Sequence, residues 1–460
     1  MAVLMATAQQ SWADSDTWTG STSSNWHTAG NWAGGSVPAG SADIASFGTS
    51  TITDVSIGQG TDISGINFNA GADSFTISQT TAVPMTFRDQ GVINNSGVTQ
   101  TIEIAPWLYL EKQAFFDFRG NATAGDNTKF VFAGAVDDVL IGGWSRFYDN
   151  ASAGSAVFEL NGANTDLGMG GRVNFYRSSP AGDATFWLYG NKGTGNDLES
   201  VAGTLVSFHE TTTAGNAVFN LSAGIDPLSR GSILSFEGDS SAENATINVH
   251  PIPLGTGQNA RVVFEANATA GNATIVVASI FGNDLPGLLY FTGAATGGTS
   301  TIWLRGIGQL RIDGSAGVSI GSLEGDSTSR VKLGSKKLTI GTNNKSTIMR
   351  GVLEGEGGAL EKTGTGMLTL SGTNTYTGST SVSGGELRVT GRVAGNTTVG
   401  MDATLSGTGT LANVEVSSAG KVAPGAGVGT LVTRNLTLSP AAELKFDLVA
   451  PAGVNDLISV

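Results

Sequence analysis

The side chains able to do chemistry are few and scattered. Three histidines, His27, His209 and His250, stand in different regions with no second ligand at metal-binding spacing. They read as turn or surface residues, and His209, directly after Phe208, is expected to face solvent. No Gly-x-Ser-x-Gly elbow sits between a strand and a helix. The Gly-x-Gly runs at 355–358 and 364–366 lack the following helix that phosphate binding uses, and read as turns. The carboxylates and guanidinium groups that one outer face could gather are Asp137, Asp138, Asp149, Asp183, Glu210, Arg146, Arg172 and Arg177. Adjacent turns would place Arg146 and Arg177 near Asp149, but nothing marks a paired acid and base, so a solvated face is expected. No calcium-loop spacing occurs. Trp187 and Trp303 share an outward slot and are candidates for stacking on sugars, on a neighbouring loop or on another subunit. The expectation is no catalytic residue, no cofactor, no metal site and no enzyme.

The elements that carry these residues follow from a repeat. Between Phe118 and Leu304 one pattern occurs seven times, centred on Gly125, Gly154, Gly182, Gly215, Glu243, Gly271 and Gly298. Seven residues before each centre lies a phenylalanine: Phe118, Phe147, Phe175, Phe208, Phe236, Phe264 and Phe291. Four and six residues after it come apolar pairs such as Phe158 and Leu160, or Ile275 and Val277; the first copy has one extra residue, giving Phe130 and Phe132. Apolar residues two apart with polar ones between describe strands with one buried face. A single such repeat cannot bury that face, but stacked repeats can. A right-handed parallel β-helix, with the phenylalanines in internal ladders, satisfies the pattern. A row of hairpins, as in a propeller or β-roll, is the alternative. Glu243 at a glycine position suggests that the turn does not demand a positive φ.

Composition agrees with an all-β class. The chain has 460 residues, 67 glycines, no cysteine and 13% charged residues. Helical periodicity is nearly absent. A net charge of −14 disfavours nucleic acid and anionic membrane surfaces as partners. No run is long enough for a membrane-spanning helix, so no membrane insertion is expected of this segment. Residues 1–8 end in Ala6-Thr7-Ala8, either the tail of a secretory signal or an ordinary N-terminus.

Four regions are expected. Residues 1–48 form a signal remnant and a Trp-rich N-terminal cap, its tryptophans covering the first coil or contacting sugars. Residues 49–117 form irregular first coils, and residues 118–304 the seven-copy array, with insertions such as 190–203 and 284–287 on one side. Residues 305–460 continue the solenoid with Leu and Val in place of aromatics.

The stretch 358–387, GALEKTGTGMLTLSGTNTYTGSTSVSGGEL, resembles the autotransporter-associated β-strand repeat of bacterial surface proteins. Residues 404–411, 422–425 and 429–431 are similar to coils that usually follow it, and the Trp-rich opening and residues 91–102 resemble N-terminal parts of the same large proteins. The resemblance implies a secreted β-helical passenger segment whose repeat is structural and associated with transport, with no catalytic residues to carry over. Such passengers usually end in an outer-membrane barrel, and none is expected within these 460 residues.

The function expected is that of an extracellular stalk, fibre or matrix component, self-associating or adhesive; the alternative is a carbohydrate-binding or polysaccharide-degrading protein. Partners would be further copies of the chain, and surface glycans. A β-helix ends in open strands. The strand-like Leu444–Leu448 and a final segment with Leu457, Ile458 and Val460 are the expected assembly end.

Overall fold

Short alternating segments cannot close a core alone, and the computed structural model shows how this chain solves the problem. It describes residues 14–81, 83–108, 115–137, 140–166, 168–193, 203–226, 229–250, 257–278, 285–425, 427–449, 453 and 455–460. The expected signal remnant, Asp138, most of the 190–203 insertion and most of a turn expected over 451–453 lie outside them. The chain is an all-β parallel solenoid, and no described helix is longer than a single 3-10 turn at Ala29–Asn31.

Each coil of the repeat contributes one strand to sheet 1, turns at the Ala-Gly centre, and contributes a second strand to sheet 2. Sheet 1 has 14 parallel strands, from Asp16–Trp18 to Val352–Glu354. Sheet 2 runs as one ladder from Asp54–Ile57 to Glu443–Leu444. A third sheet of 10 strands includes Val318–Ile320 and Leu457–Ser459. Before it begins, its place in the coil is held by single bridges, such as Thr213 to Ser241 and Thr269 to Thr296. Like residues stand over like: Phe147 pairs with Phe175, Phe175 with Phe208, and Phe186 with Phe219.

The seven phenylalanines from Phe118 to Phe291 are fully buried in one column. Neighbouring rings are stacked 4.5–5.0 Å apart, the offset contact that parallel aromatic faces favour. A second column, Phe130, Phe158, Phe186 and Phe219, meets the first edge-on, for instance Phe208 against Phe219 at 5.9 Å and 84°.

At the N-terminal end Trp18, Trp26 and Trp32 are buried over Phe47, with ring centroids 5.0–6.0 Å apart. Their indole N–H groups donate to the carbonyls of Ile52, Pro38 and Trp26 at 2.7–3.0 Å. These rings are core, which removes the sugar-contact reading of the opening. Asp16–Trp18 and Ile44–Phe47 already belong to sheet 1, although no alternation announces them.

Two backbone expectations need correction. Glu243 has φ 44°, close to the 55–80° of the glycines in its column, so the turn requires a positive φ and Glu243 accepts it. The extra residue of the first copy is absorbed by Asn127 at φ 49°, a conformation asparagine tolerates. At the other end, the strand expected over Leu444–Leu448 covers Glu443–Leu444 alone, and Phe446 and Leu448 are exposed. They lack the buried face that holds every earlier strand.

Candidate functional site

Charged residues of the outer face sort into columns, because residues one coil apart are neighbours. Gly120, Asp149, Arg177, Glu210, Gly238, Ala266 and Gly293 occupy one turn column, all with φ between 54° and 65°. The Asp149 carboxylate accepts from the Gly120 N–H at 3.2 Å and pairs with the Arg177 guanidinium, while Glu210 accepts from the Arg177 N–H at 2.7 Å. Signs alternate up the column, and each carboxylate satisfies the turn of the adjacent coil. Desolvation pushes the Asp149 carboxyl up, but the Gly120 N–H and the Arg177 guanidinium together outweigh it and hold the group below its ordinary value. Arg146 lies elsewhere, gripping Asp117 with two contacts of 2.8 and 2.9 Å. Asp183 accepts from Asn216, and Arg172 is largely buried beside Met169 and Trp144. The structure thus joins Asp149, Arg177 and Glu210 in one column, leaves Arg146 on Asp117, and sets Asp183 and Arg172 apart from both.

Next to that column stands an aromatic one. Tyr148, Tyr176 and His209 stack with centroids 5.0 and 4.7 Å apart. His209, expected in open solvent, keeps 23% of its side-chain exposure. Its Nδ1 lies 3.1 Å from Glu237 Oε2 and its Nε2 2.9 Å from Ser207 Oγ. Asn174 Nδ2 donates to Ser207 Oγ at 2.6 Å, and Trp144 Nε1 donates to Asn174 Oδ1 at 2.8 Å. The hydrogen bond from His209 keeps the Glu237 carboxyl below its usual range. Nothing in the local sequence links Ser207 to Glu237. Stacking the copies by their phenylalanines does, because Phe208 pairs with Phe236 and the residues following each become neighbours.

Trp187 and Trp303 lie in one outward column of sheet 2, with Asn220, Asn248 and Val276 between them. Trp187 is 42% exposed, whereas Trp303 is partly covered by the Arg305 guanidinium, 5.5 Å from its ring centre. His27 is half-buried, with Nε2 3.1 Å from the Thr61 hydroxyl. Among the described residues no group of three His, Cys, Asp or Glu could hold a metal ion.

The stretch at 358–387 places a few of its polar residues inward. Lys362 is 1% exposed and its ammonium donates to the carbonyls of Thr363, Gly364 and Gly384 at 2.7–3.2 Å. Burial pushes its pKa down to about 8. Asn374 is fully buried; it accepts from the Leu353 N–H and donates to the carbonyls of Gly372 and Arg392, tying three coils. The Tyr376 hydroxyl meets Thr380 Oγ1 at 2.7 Å. Each side chain satisfies a backbone group or hydroxyl that would otherwise be buried and unpaired.

Comparison with known proteins places this stretch. Residues 360–389 match the family model of the passenger-associated-transport-repeat. Over 79 residues the chain is 48% identical to an extracellular serine protease of Serratia marcescens; the match covers 17% of this chain and 8% of that protein. The aligned part is thus less than a tenth of the relative's length. No solved structure matches the chain. No helix among the described residues is long and apolar enough to cross a membrane. The repeat and the extracellular relative point to a secreted or surface protein. With Lys362 and Asn374 buried as cross-coil ties and Tyr376 buried within its own coil, this chain carries the passenger-associated transport repeat, the autotransporter-associated β-strand repeat of secreted bacterial proteins, within a continuous parallel β-solenoid.

Proposed function

We propose that the chain is the structural passenger portion of a bacterial extracellular or cell-surface protein, a stiff stalk that associates with further copies of itself. The observation that supports this most is the unbroken ladder of sheet 2, from Asp54–Ile57 to Glu443–Leu444, without a hinge between the aromatic and aliphatic parts. Its 17 strands, stacked roughly 4.8 Å apart, give a rod of about 80 Å. In this reading the outer charges serve coil-to-coil pairing, and polysaccharide backbones are not cleaved.

Self-association would use the end where Leu457–Ser459 forms an edge strand on Thr430–Val432, with Leu457 and Val460 exposed and Ile458 half-buried against the core. Electron microscopy and light scattering of the purified chain should show rods that join as concentration rises. Ile458→Pro removes a ladder donor and should stop joining while leaving the coils before residue 440 folded. A monodisperse monomer at high concentration sinks the assembly reading. Release of reducing or unsaturated ends from polysaccharides, lost on changing Asp149 or Arg177, would overturn the structural one. A second reading, binding of surface glycans, draws on the exposed Trp187 ring. Binding to a glycan panel that is unaffected by Trp187→Ala would remove it.

A further inference from the structure

We propose that Ser207, His209 and Glu237 form a nucleophilic triad on the outer face of sheet 1 that hydrolyses small carboxylic esters, an activity additional to the structural role. Ser207 sits between the inward-facing Val206 and Phe208 in the strand Leu205–Phe208, so its hydroxyl points outward. His209 follows two residues later, and Glu237 is its counterpart one coil on. The distances are 2.9 Å from Ser207 Oγ to His209 Nε2 and 3.1 Å from His209 Nδ1 to Glu237 Oε2. That is the contact order of a serine, a base and the carboxylate that orients the base.

Neighbouring groups favour the productive proton arrangement. A carboxylate only accepts, so Nδ1 carries the proton and the Nε2 lone pair faces the serine. Asn174 is oriented by the Trp144 indole N–H on its carbonyl oxygen, which turns its NH2 end toward Ser207. Its donation at 2.6 Å occupies a lone pair of Oγ and leaves the hydroxyl hydrogen for His209. The imidazole lies 7° from parallel with the Tyr176 ring, which holds its plane, and Ser235 donates to the second Glu237 oxygen at 3.2 Å. Elsewhere the serine's column holds Arg146, Asn174, Ser235, Val263 and Tyr290 and the histidine's holds Tyr148, Tyr176, Glu237, Glu265 and Thr292, so a second serine is present but the histidine beside one occurs at a single level of the repeat.

A groove of about 320 Å³ adjoins the carboxylate, lined by residues including Leu205, Ile233, Ser235, Glu237, Arg261 and Tyr290. Leu205 and Ile233 give it an apolar side suited to a short acyl or alkyl group. Ser207 is 2% exposed and, like His209, is not among the residues lining that groove, so even a slim ester reaches the hydroxyl only when the side chains over it move. In the reaction Ser207 Oγ attacks the ester carbonyl carbon and its proton passes to His209 Nε2. The tetrahedral adduct collapses, the C–O bond to the leaving alcohol breaks, and His209 returns the proton to that alcohol. Water then attacks the acyl-serine, again giving a proton to His209, and the carboxylic acid departs with Ser207 restored. The strand N–H groups of this sheet are spent in the ladder, and the Asn174 amide donates to Ser207 Oγ with its nitrogen also 3.4 Å from His209 Nε2, so the described residues offer no donor held ready for the oxyanion and turnover is expected to be slow.

The full chain should be treated with a fluorophosphonate probe and mapped by peptide mass spectrometry, and its hydrolysis of p-nitrophenyl acetate and butyrate measured. The expected result is one adduct on Ser207 in the wild type, absent from His209→Ala. Ser207→Ala and His209→Ala should each lower kcat/KM by about 100-fold or more. Wild type that stays unlabelled, an adduct confined to another residue, or equal ester hydrolysis by wild type and Ser207→Ala overturns the proposal. The label on unaltered protein decides even if a variant fails to fold.

Discussion

From Phe118 to Leu304 the solenoid is wide and aromatic, and beyond residue 330 it is slim and aliphatic. In the wide part partners lie 27 to 33 residues apart, 28 for Phe147 and Phe175; in the slim part, from Arg330 to Leu444, they lie 17 to 22 apart, 18 for Glu386 and Thr404. Seven stacked phenylalanine rings fill one column of the wide core. After Phe291 the buried hydrophobic side chains of the described residues are Leu, Val, Ile, Met and Ala, with Tyr376 the one aromatic ring. A shorter perimeter encloses a smaller cross-section, and protein interiors are packed to nearly constant density. Coil length and side-chain volume therefore change together. The wide part closes its third side with single bridges and variable arcs, whereas the slim part builds a full third sheet there. Ring stacks hold the wide coils in register, and a third ladder does so in the slim ones.

The comparison can be broken most directly by emptying the aromatic column. Phe236→Ala should cost about 3–5 kcal/mol, the usual range for deleting a buried ring. Chemical denaturation and hydrogen exchange should show the loss concentrated in coils near residue 236, because a repeat array transmits stability mainly to its neighbours. An unchanged transition would mean that the rings are not what holds the wide coils.

The reverse change tests whether the slim core is full. Leu387→Phe inserts a ring where Leu368 and Leu405 are the stacked neighbours, and should cost about 1–3 kcal/mol through overpacking. A neutral result would show spare volume and uncouple perimeter from side-chain size.

Lys362 offers a test by pH in the slim part. Its folded pKa of about 8 lies below the ordinary value of 10.5, so the unfolded chain binds more protons between the two. Its contribution to stability should therefore rise as pH increases from about 8 toward 10.5, and Lys362→Met should abolish that rise. Identical pH–stability curves for both proteins would contradict the burial of the ammonium group.

The smallest expected effect belongs to the wide-part turn. Glu243 holds φ 44° where its column has glycine. Glu243→Gly relieves that strain but adds freedom to the unfolded chain, so the net change should be stabilising by no more than about 1 kcal/mol. Loss of stability would show that the glutamate makes a contact outweighing its backbone cost.

The solenoid was legible because one residue type recurs at a fixed offset, so Phe175, Phe208 and Phe236 declare their column without any contact being known. The Trp-rich opening was readable as a cap through composition, yet its strands were not, since Trp18 and Phe47 lie outside the periodic array. His209 was misjudged for a physical reason. A residue just beyond a strand looks solvent-facing along the chain, but its neighbours are set across coils, where Tyr176 and Glu237 enclose it. The same cause hid the pairing of Arg146 with Asp117. The turn at Glu243 was misread because a glutamate gives no sign of the φ it has been made to adopt.

The like-over-like registers described above also fix how the molecule bears load. Hydrogen bonds between coils run along the solenoid axis, so tension applied at the two ends pulls each bond along its length and opens coils singly. A wide coil of 28 residues releases roughly 90–100 Å of chain when it opens, and a slim coil of 18 roughly 60–65 Å. Stretched from its ends, this protein behaves as a spool that yields in steps, with a long stride in its aromatic part and a short one beyond it.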